Sequence, residues 1–151
     1  MSISVSAAAK RLCERSGWSL TNLKLQKLLY ISHMFHLGKT GEPLVNGHFE
    51  AWDYGPVSPF LYHKVKVFGS SPVENIFHST PDIGDVPEAE MLDSAIDQLA
   101  NSPPGRLVAI THWDRGAWAK HYIPGEQGIS IPNEDIRQEY LDRVNAVKAQ
   151  K

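Results

Sequence analysis

His33 and His36 stand three residues apart. On a helix that spacing brings two imidazoles onto neighbouring surface, where they could share a metal ion. A third ligand would have to come from His112, Asp114 or His121, far along the chain, and no His-Glu-x-x-His string accompanies the pair. Histidines so placed more often fill polar gaps in packing, so no metal is expected. The single cysteine, Cys13, would need a thiolate and a partner base to act as a nucleophile. It falls on an apolar helical face among alanines, which makes it a buried, inert thiol. One cysteine also excludes an internal disulfide and a four-cysteine zinc site. No Gly-x-Ser-x-Gly turn, Gly-x-Gly-x-x-Gly fingerprint or P-loop occurs. Ser58 precedes Pro59, a pairing that a helix cap explains, and Glu50 and Asp53 flank an aromatic segment where turn and surface roles suffice. These residues predict no catalysis and no cofactor.

Charge argues in the same direction. Fifteen Lys and Arg stand against seventeen Asp and Glu, for a net charge of -2, so composition does not describe a polybasic nucleic-acid binder. Lys24, Lys27, Lys64 and Lys66 could contact phosphates if their helices meet, which keeps a DNA-binding regulator as the rival reading. Lys64 and Lys66 cannot share one helix face, however, and the mixture of Glu134, Asp135, Arg137, Glu139, Asp142 and Arg143 reads as a solvated face. Aromatic residues gather in two places: Trp52, Tyr54, Phe60 and Tyr62, then Trp113, Trp118 and Tyr122. Such clusters suit protein interfaces and small cores alike.

The elements that must position these groups are mainly helices. Val5, Ala8, Ala9 and Leu12 recur at helical spacing within Ser4–Ser16, and Gly17 suits the C-terminal cap, with Trp18 free to pack back. Thr21 caps a second helix, with Leu20 and Leu25 as a hydrophobic staple. Leu25, Leu28, Leu29, Ile31 and Phe35 make its apolar surface too wide for a surface helix, so it is the central one. Lys24 and Lys27 mark its wet side, and Gly38 and Gly41 stop it. Phe49–Tyr54 reads as a strand ended by Gly55 and Pro56. Ser58 caps a third helix through Phe68, closed by Gly69. Residues 70–87 form a loose loop with room for a short strand at Val73–Phe77. Helices follow at Glu88–Leu99 and Gly105–Thr111, then a turn at Arg115–Lys120 capped by Asp114, and a strand at Ile129–Ile131. A last helix spans about 133–149, with Ile136, Tyr140, Val144 and Val147 inward and Leu141 beside them. The predicted fold is mostly α with two or three short β-strands, one compact helical domain over 1–151 around a central hydrophobic helix. No apolar run reaches membrane-spanning length, and Lys10 and Arg11 interrupt any signal-peptide core, so a cytoplasmic location is expected.

Three strings carry a family resemblance. The first is Leu20-Thr21-Asn22-Leu23-Lys24-Leu25-Gln26-Lys27-Leu28-Leu29-Tyr30. The second is Glu50-Ala51-Trp52-Asp53-Tyr54-Gly55-Pro56-Val57, with Pro59 and Leu61-Tyr62. The third is Thr111-His112 followed by Ala117-Trp118. Together they resemble the Panacea domain, an antitoxin-like family of bacteria and phages, over about Val5 to Tyr140. The third string departs once, with Ala117 where members usually carry proline.

The resemblance implies an antitoxin that neutralises a toxin encoded by a neighbouring gene through protein–protein contact, in some members with help from cellular proteolysis. A phage accessory interaction protein is the other use of the domain that it leaves open. It maps the family motif onto Thr21, Asn22, Lys24, Gln26, Lys27, Tyr30, Trp52, Gly55, Pro56, Pro59, Thr111, His112 and Trp118. Gln26 and Tyr30, one turn apart, would hydrogen-bond the strand holding Trp52. Gly55 and Pro56 would turn the chain tightly over the helix. Thr111 and His112 would join a buried polar network, or the same polar set would line a small groove for a peptide or ligand. Partner contacts are expected at Trp52, Tyr54, Phe60, Tyr62 and Tyr140.

Overall fold

The computed structural model describes residues 2–149; residues 1, 150 and 151 of the expected 1–151 domain lie outside them. Its centre is a nineteen-residue helix, α2 (Asn22–Thr40). Thr21 Oγ1 accepts the Lys24 N–H at 3.3 Å, satisfying one free donor of the first turn, and Leu20 and Leu25 are both buried as a staple requires. Gly41 ends the helix at φ +78°, its N–H bonded to the Leu37 carbonyl at 2.8 Å. Every residue from Leu25 to Met34 is buried, so α2 has no wet side there. Burial on all faces follows from its neighbours: α1 (Val5–Arg15), α4 (Pro87–Leu99), α5 (Pro104–Thr111) and α7 (Asn133–Ala149) surround it.

Gly38 does not stop the helix. It lies within α2, and a Cβ there would run into Tyr140 of α7. The missing side chain lets α7 approach, and Tyr140 packs edge-on against Phe35 at 5.5 Å. On α7, Ile136 is buried and Tyr140, Leu141 and Val144 are half-buried, but Val147 is 57% exposed and does not face inward. Its place in the helix lies beyond the last turn that the core covers. Glu139, read from the sequence as part of a solvated face, is instead 1% exposed.

At the other side, α1 is capped by Ser4, whose Oγ accepts the Ala7 N–H at 3.0 Å. After Gly17 at φ +68°, the Trp18 N–H returns to the Cys13 carbonyl at 2.8 Å, closing α1, and its ring stacks on Phe77. Paired guanidinium–carboxylate contacts, Arg11 to Asp93 and Arg15 to Asp97, join α1 to α4 at 2.7–2.9 Å.

A small antiparallel sheet has the order β2-β1-β3, with β1 Phe49–Trp52, β2 Gly55–Val57 and β3 Ser130–Ile131. Gly55 and Pro56 do not end the first strand; they begin the second, after a turn at Asp53 and Tyr54, with Trp52 opposite Gly55 and Ala51 opposite Pro56. β2 is an edge strand, where a residue without an N–H is tolerated. Ser58 then caps α3 (Pro59–Val65), accepting the Leu61 N–H at 3.3 Å, and one 3-10 turn leads to Gly69. Val73–Phe77 forms no strand: Val73 makes one backbone bond to Leu20, and Val73 and Phe77 serve as buried anchors of the loop. In α6 (Ala117–His121) the cap position is Gly116, and Asp114 caps nothing; the free Ala117 N–H goes to Glu139. No helix among the described residues is long and apolar enough to cross a membrane.

Gly38→Ala tests the α2–α7 seam. Helix propensity alone would favour alanine by roughly 1 kcal/mol. The contact with Tyr140 should instead make the variant less stable by about 1–3 kcal/mol in chemical denaturation. A gain in stability would mean that α7 does not sit against Gly38.

Candidate functional site

The first turns of α2, the β1–β2 hairpin and α3 enclose a cleft of about 570 Å³. Asn22, Gln26 and Lys27 line it from α2, Tyr54 and Val57 from the hairpin, and Tyr62 from α3. The first string of family-motif residues thus meets the second at one depression. Thr21 forms the lip, and Lys24 does not join: its ammonium donates to the Ala100 carbonyl at 2.7 Å, closing the end of α4.

Gln26 holds the cleft's shape. Its Nε2 donates to the Ser58 carbonyl at 3.2 Å, and its Oε1 accepts the Ser58 N–H at 2.9 Å. The expected bond to the Trp52 strand therefore lands just beyond β2, on the cap of α3. Tyr30, one turn further along α2, instead donates to Glu139 Oε1 at 2.7 Å. Its ring packs edge-on against Phe49 of β1 at 5.3 Å, so Tyr30 meets that strand through its ring and not through its hydroxyl.

Lys27 corrects the sequence reading most sharply. It is 0% exposed, and its ammonium donates to the Tyr54 carbonyl. Gly55, at φ +102°, makes this possible, because a Cβ there would collide with Lys27 Nζ and His112 Nε2. Burial pulls the Lys27 pKa down to about 7. Among the described residues no carboxylate lies within ion-pair distance of it. His112, also shifted down by burial, lies near the Tyr54 carbonyl, yet its buried Nε2 makes no well-aligned hydrogen bond. Asn22 Oδ1 is likewise buried and unpartnered.

Behind the cleft, His112 stacks on Trp118 at 4.1 Å and Trp118 on Tyr122 at 4.4 Å. Trp118 Nε1 donates to the Trp52 carbonyl at 2.8 Å. Thr111 does not enter this network; its hydroxyl donates to Leu107 and Val108 carbonyls within α5. Asp53 accepts from the Tyr122 hydroxyl at 2.7 Å and the Gly125 N–H at 2.9 Å, and these bonds hold its carboxyl below the usual range. Glu50 accepts from Trp52 Nε1 and the Gly128 N–H. Both carboxylates therefore tie loops to the hairpin.

A second buried node anchors the far side. Glu139 Oε1 accepts from Tyr30 and, at 3.0 Å, from the Ala117 N–H; Oε2 accepts from Arg143 Nε at 2.9 Å and Nη2 at 2.7 Å. Arg143 also donates to the Ile110 carbonyl and lies over the Trp113 ring at 4.6 Å. Sequence reasoning missed this residue. The available signal was its position three residues after Ile136, on the inward stripe, with Arg143 one turn on.

The remaining candidates divide by exposure. Trp52 is 3% exposed and cannot meet a partner; Tyr62 packs edge-on against it at 4.9 Å. Tyr140 is half-buried on Phe35. Tyr54 and Phe60 are 64% and 60% exposed. Pro56 is buried in β2, and Pro59 opens α3. His33 is fully buried, with Nδ1 accepting the Val45 N–H and Nε2 facing Asn133 Oδ1 at 3.0 Å; burial lowers its pKa to about 4. His36 Nδ1 contacts the Glu42 carbonyl at 2.8 Å. Among the described residues no group of three or more His, Cys, Asp or Glu side chains could hold a metal. Burial raises the Cys13 thiol to about 12, far from a working nucleophile.

The fold is mostly helical, with buried polar clasps, two exposed aromatics beside the cleft and a buried cysteine. Residues 25–119 match the Antitoxin SocA-like, Panacea domain family, and the chain belongs to that family. It is 34% identical over 111 residues to Antitoxin SocA of Caulobacter vibrioides (strain NA1000 / CB15N), an alignment covering 66% of this chain and 58% of that protein. The chain thus spans less than two thirds of that relative's length. No solved structure matches. The family match begins inside α2, after Thr21, Asn22 and Lys24, and ends in α6, before Glu139.

Two substitutions test the buried charges. Glu139→Ala leaves Arg143, Tyr30 and the Ala117 N–H without their acceptor and should cost about 3–5 kcal/mol in chemical denaturation; a loss under about 1 kcal/mol would show that the network is not formed.

For Lys27 the sign runs opposite to that of a paired lysine. Below about pH 7 the side chain is charged in both states, and the cost of its burial is fully present. From about 7 up to its ordinary value of 10.5, the folded protein has released the proton while the unfolded chain holds it. Stability should therefore rise with pH across that window, by about 1 kcal/mol per unit. Lys27→Met should flatten the rise and stabilise the protein at pH 6. An unchanged slope in the variant would assign the effect to other groups.

Proposed function

We propose that this protein is an antitoxin that acts in the cytoplasm by binding a toxin encoded beside it, and that it is not an enzyme. The observation that carries this reading is the exposure of Tyr54 and Phe60 in a chain of the SocA-like antitoxin family. Large aromatics supply much binding energy at low conformational cost. Here they are presented on a hairpin and helix start held by the two-way Gln26–Ser58 bond, so little order remains to be gained on binding. Tyr62 and Trp52, packed edge-on, would support this surface from within, whereas Tyr140 lies apart against Phe35 and Gly38. A contribution from cellular proteolysis rests on the resemblance alone. The rival, a DNA-binding regulator, draws no support from Lys24 and Lys27, since both ammonium groups are bound to backbone carbonyls.

Co-expression with the neighbouring gene product, scored by growth and co-purification, tests the reading. Tyr54→Ala and Phe60→Ala should keep the wild-type melting temperature. A hot-spot position should bind the toxin about thirtyfold more weakly, the equivalent of about 2 kcal/mol. Trp52→Ala should fail by unfolding. If the wild-type protein neither binds that product nor relieves any growth defect it causes, the chain is not its antitoxin.

A further inference from the structure

We infer that the cleft at the start of α2 is a binding site for a carboxylate attached to an apolar group, with Lys27 supplying the charge. The site does not depend on the toxin reading. A fully buried ammonium with no carboxylate in reach is costly unless an anion arrives from outside. Lys27 has three donors, and the Tyr54 carbonyl takes one. One further buried polar atom, His112 Nε2, lacks a partner and lies with Lys27 Nζ against Gly55. Unpartnered buried polar atoms are rare in folded proteins, and this one lies beside Lys27, which lines the cleft. The cleft's volume, about 570 Å³, falls within the range of small-ligand pockets. Leu23, Val57, Tyr62 and Pro104 give it apolar walls.

The charge count selects the ligand class. One buried cation matches one negative charge, whereas a phosphate dianion would leave excess charge out of water. His112 adds none above pH 7, because burial keeps it neutral there. The titratable groups around Lys27 are His112 from the end of α5, Tyr54 of the hairpin and Tyr62 of α3; no acid faces it among the described residues. The burial-lowered pKa of Lys27, about 7, agrees with such a site, since a bound anion would restore the proton.

Two sources present this chemistry, a free aromatic acid and the C-terminus of a peptide. Amide NMR titrations of the full chain with phenylacetate and with acetyl-glycyl-phenylalanine separate them, with phenylacetamide as the neutral control. Saturable shifts at Asn22, Lys27, Tyr54 and His112 are expected with one or both acids and not with the amide. A response to phenylacetate marks a site for free acids; a response to the peptide alone marks a site for chain ends. Affinity should fall up to tenfold per pH unit above 7, as Lys27 loses its proton. Lys27→Met should weaken binding at least tenfold. Asn22→Asp, which places a negative charge where a helix start accepts one, should do the same in a folded protein. Absence of cleft shifts with either acid, equal shifts with phenylacetamide, or undiminished binding by either folded variant would overturn the assignment.

Discussion

A carboxylate taken almost wholly out of water must be met by donors at both oxygens, and Glu139 is met by four. Those donors come from α2, α6 and α7, and Arg143 carries the connection on to α5 through the Ile110 carbonyl. The position of each helix end is thereby set to within a hydrogen bond's tolerance. Gly116 fits closely beside the carboxylate, and Gly38 lets α7 lie near enough to α2 for Tyr30 to reach it. A fully satisfied network of this kind favours one packing over the many that an apolar helix such as α2 would otherwise accept.

One turn earlier on α2, a second set of bonds holds the hairpin and α3. Gln26 binds both polar groups of Ser58, and Ser58 in turn caps α3. Lys27 reaches the hairpin turn under a glycine that leaves room for it. The consequence is a rigid ledge: Tyr54 and Phe60 project from it, and the cleft opens beside it. A protein that must hold a partner benefits from a surface already ordered before contact. Asn22 Oδ1 is left unpaired at the cleft and His112 Nε2 behind it, beside Lys27.

The histidines show how location decides chemistry. His33 and His36 have metal-like spacing, yet His33 is spent on a backbone N–H and an asparagine, and His36 on a carbonyl. His112, a distant third candidate for that metal in sequence, has a buried Nε2 left unsatisfied beside a buried lysine.

Much of the fold was legible from residue order alone. Local rules sufficed where the cause is local. Thr21 and Ser58 cap because their hydroxyls reach N–H groups within one turn, and the run Leu25–Phe35 declares a central helix because only burial explains apolar residues on so many faces. The motif strings also named most of the cleft before any contact was known. What required tertiary structure was the fate of charged groups. Glu139 and Lys27 look like ordinary surface residues in a sequence, because charge predicts solvent unless a partner is supplied from elsewhere in the chain. Their partners lie far away: Tyr30 for the first, 109 positions distant, and the Tyr54 carbonyl for the second, 27 positions distant. Gly38 and Gly55 were read as a stop and a strand end; they are sites of close approach, and only the approaching side chain reveals that role.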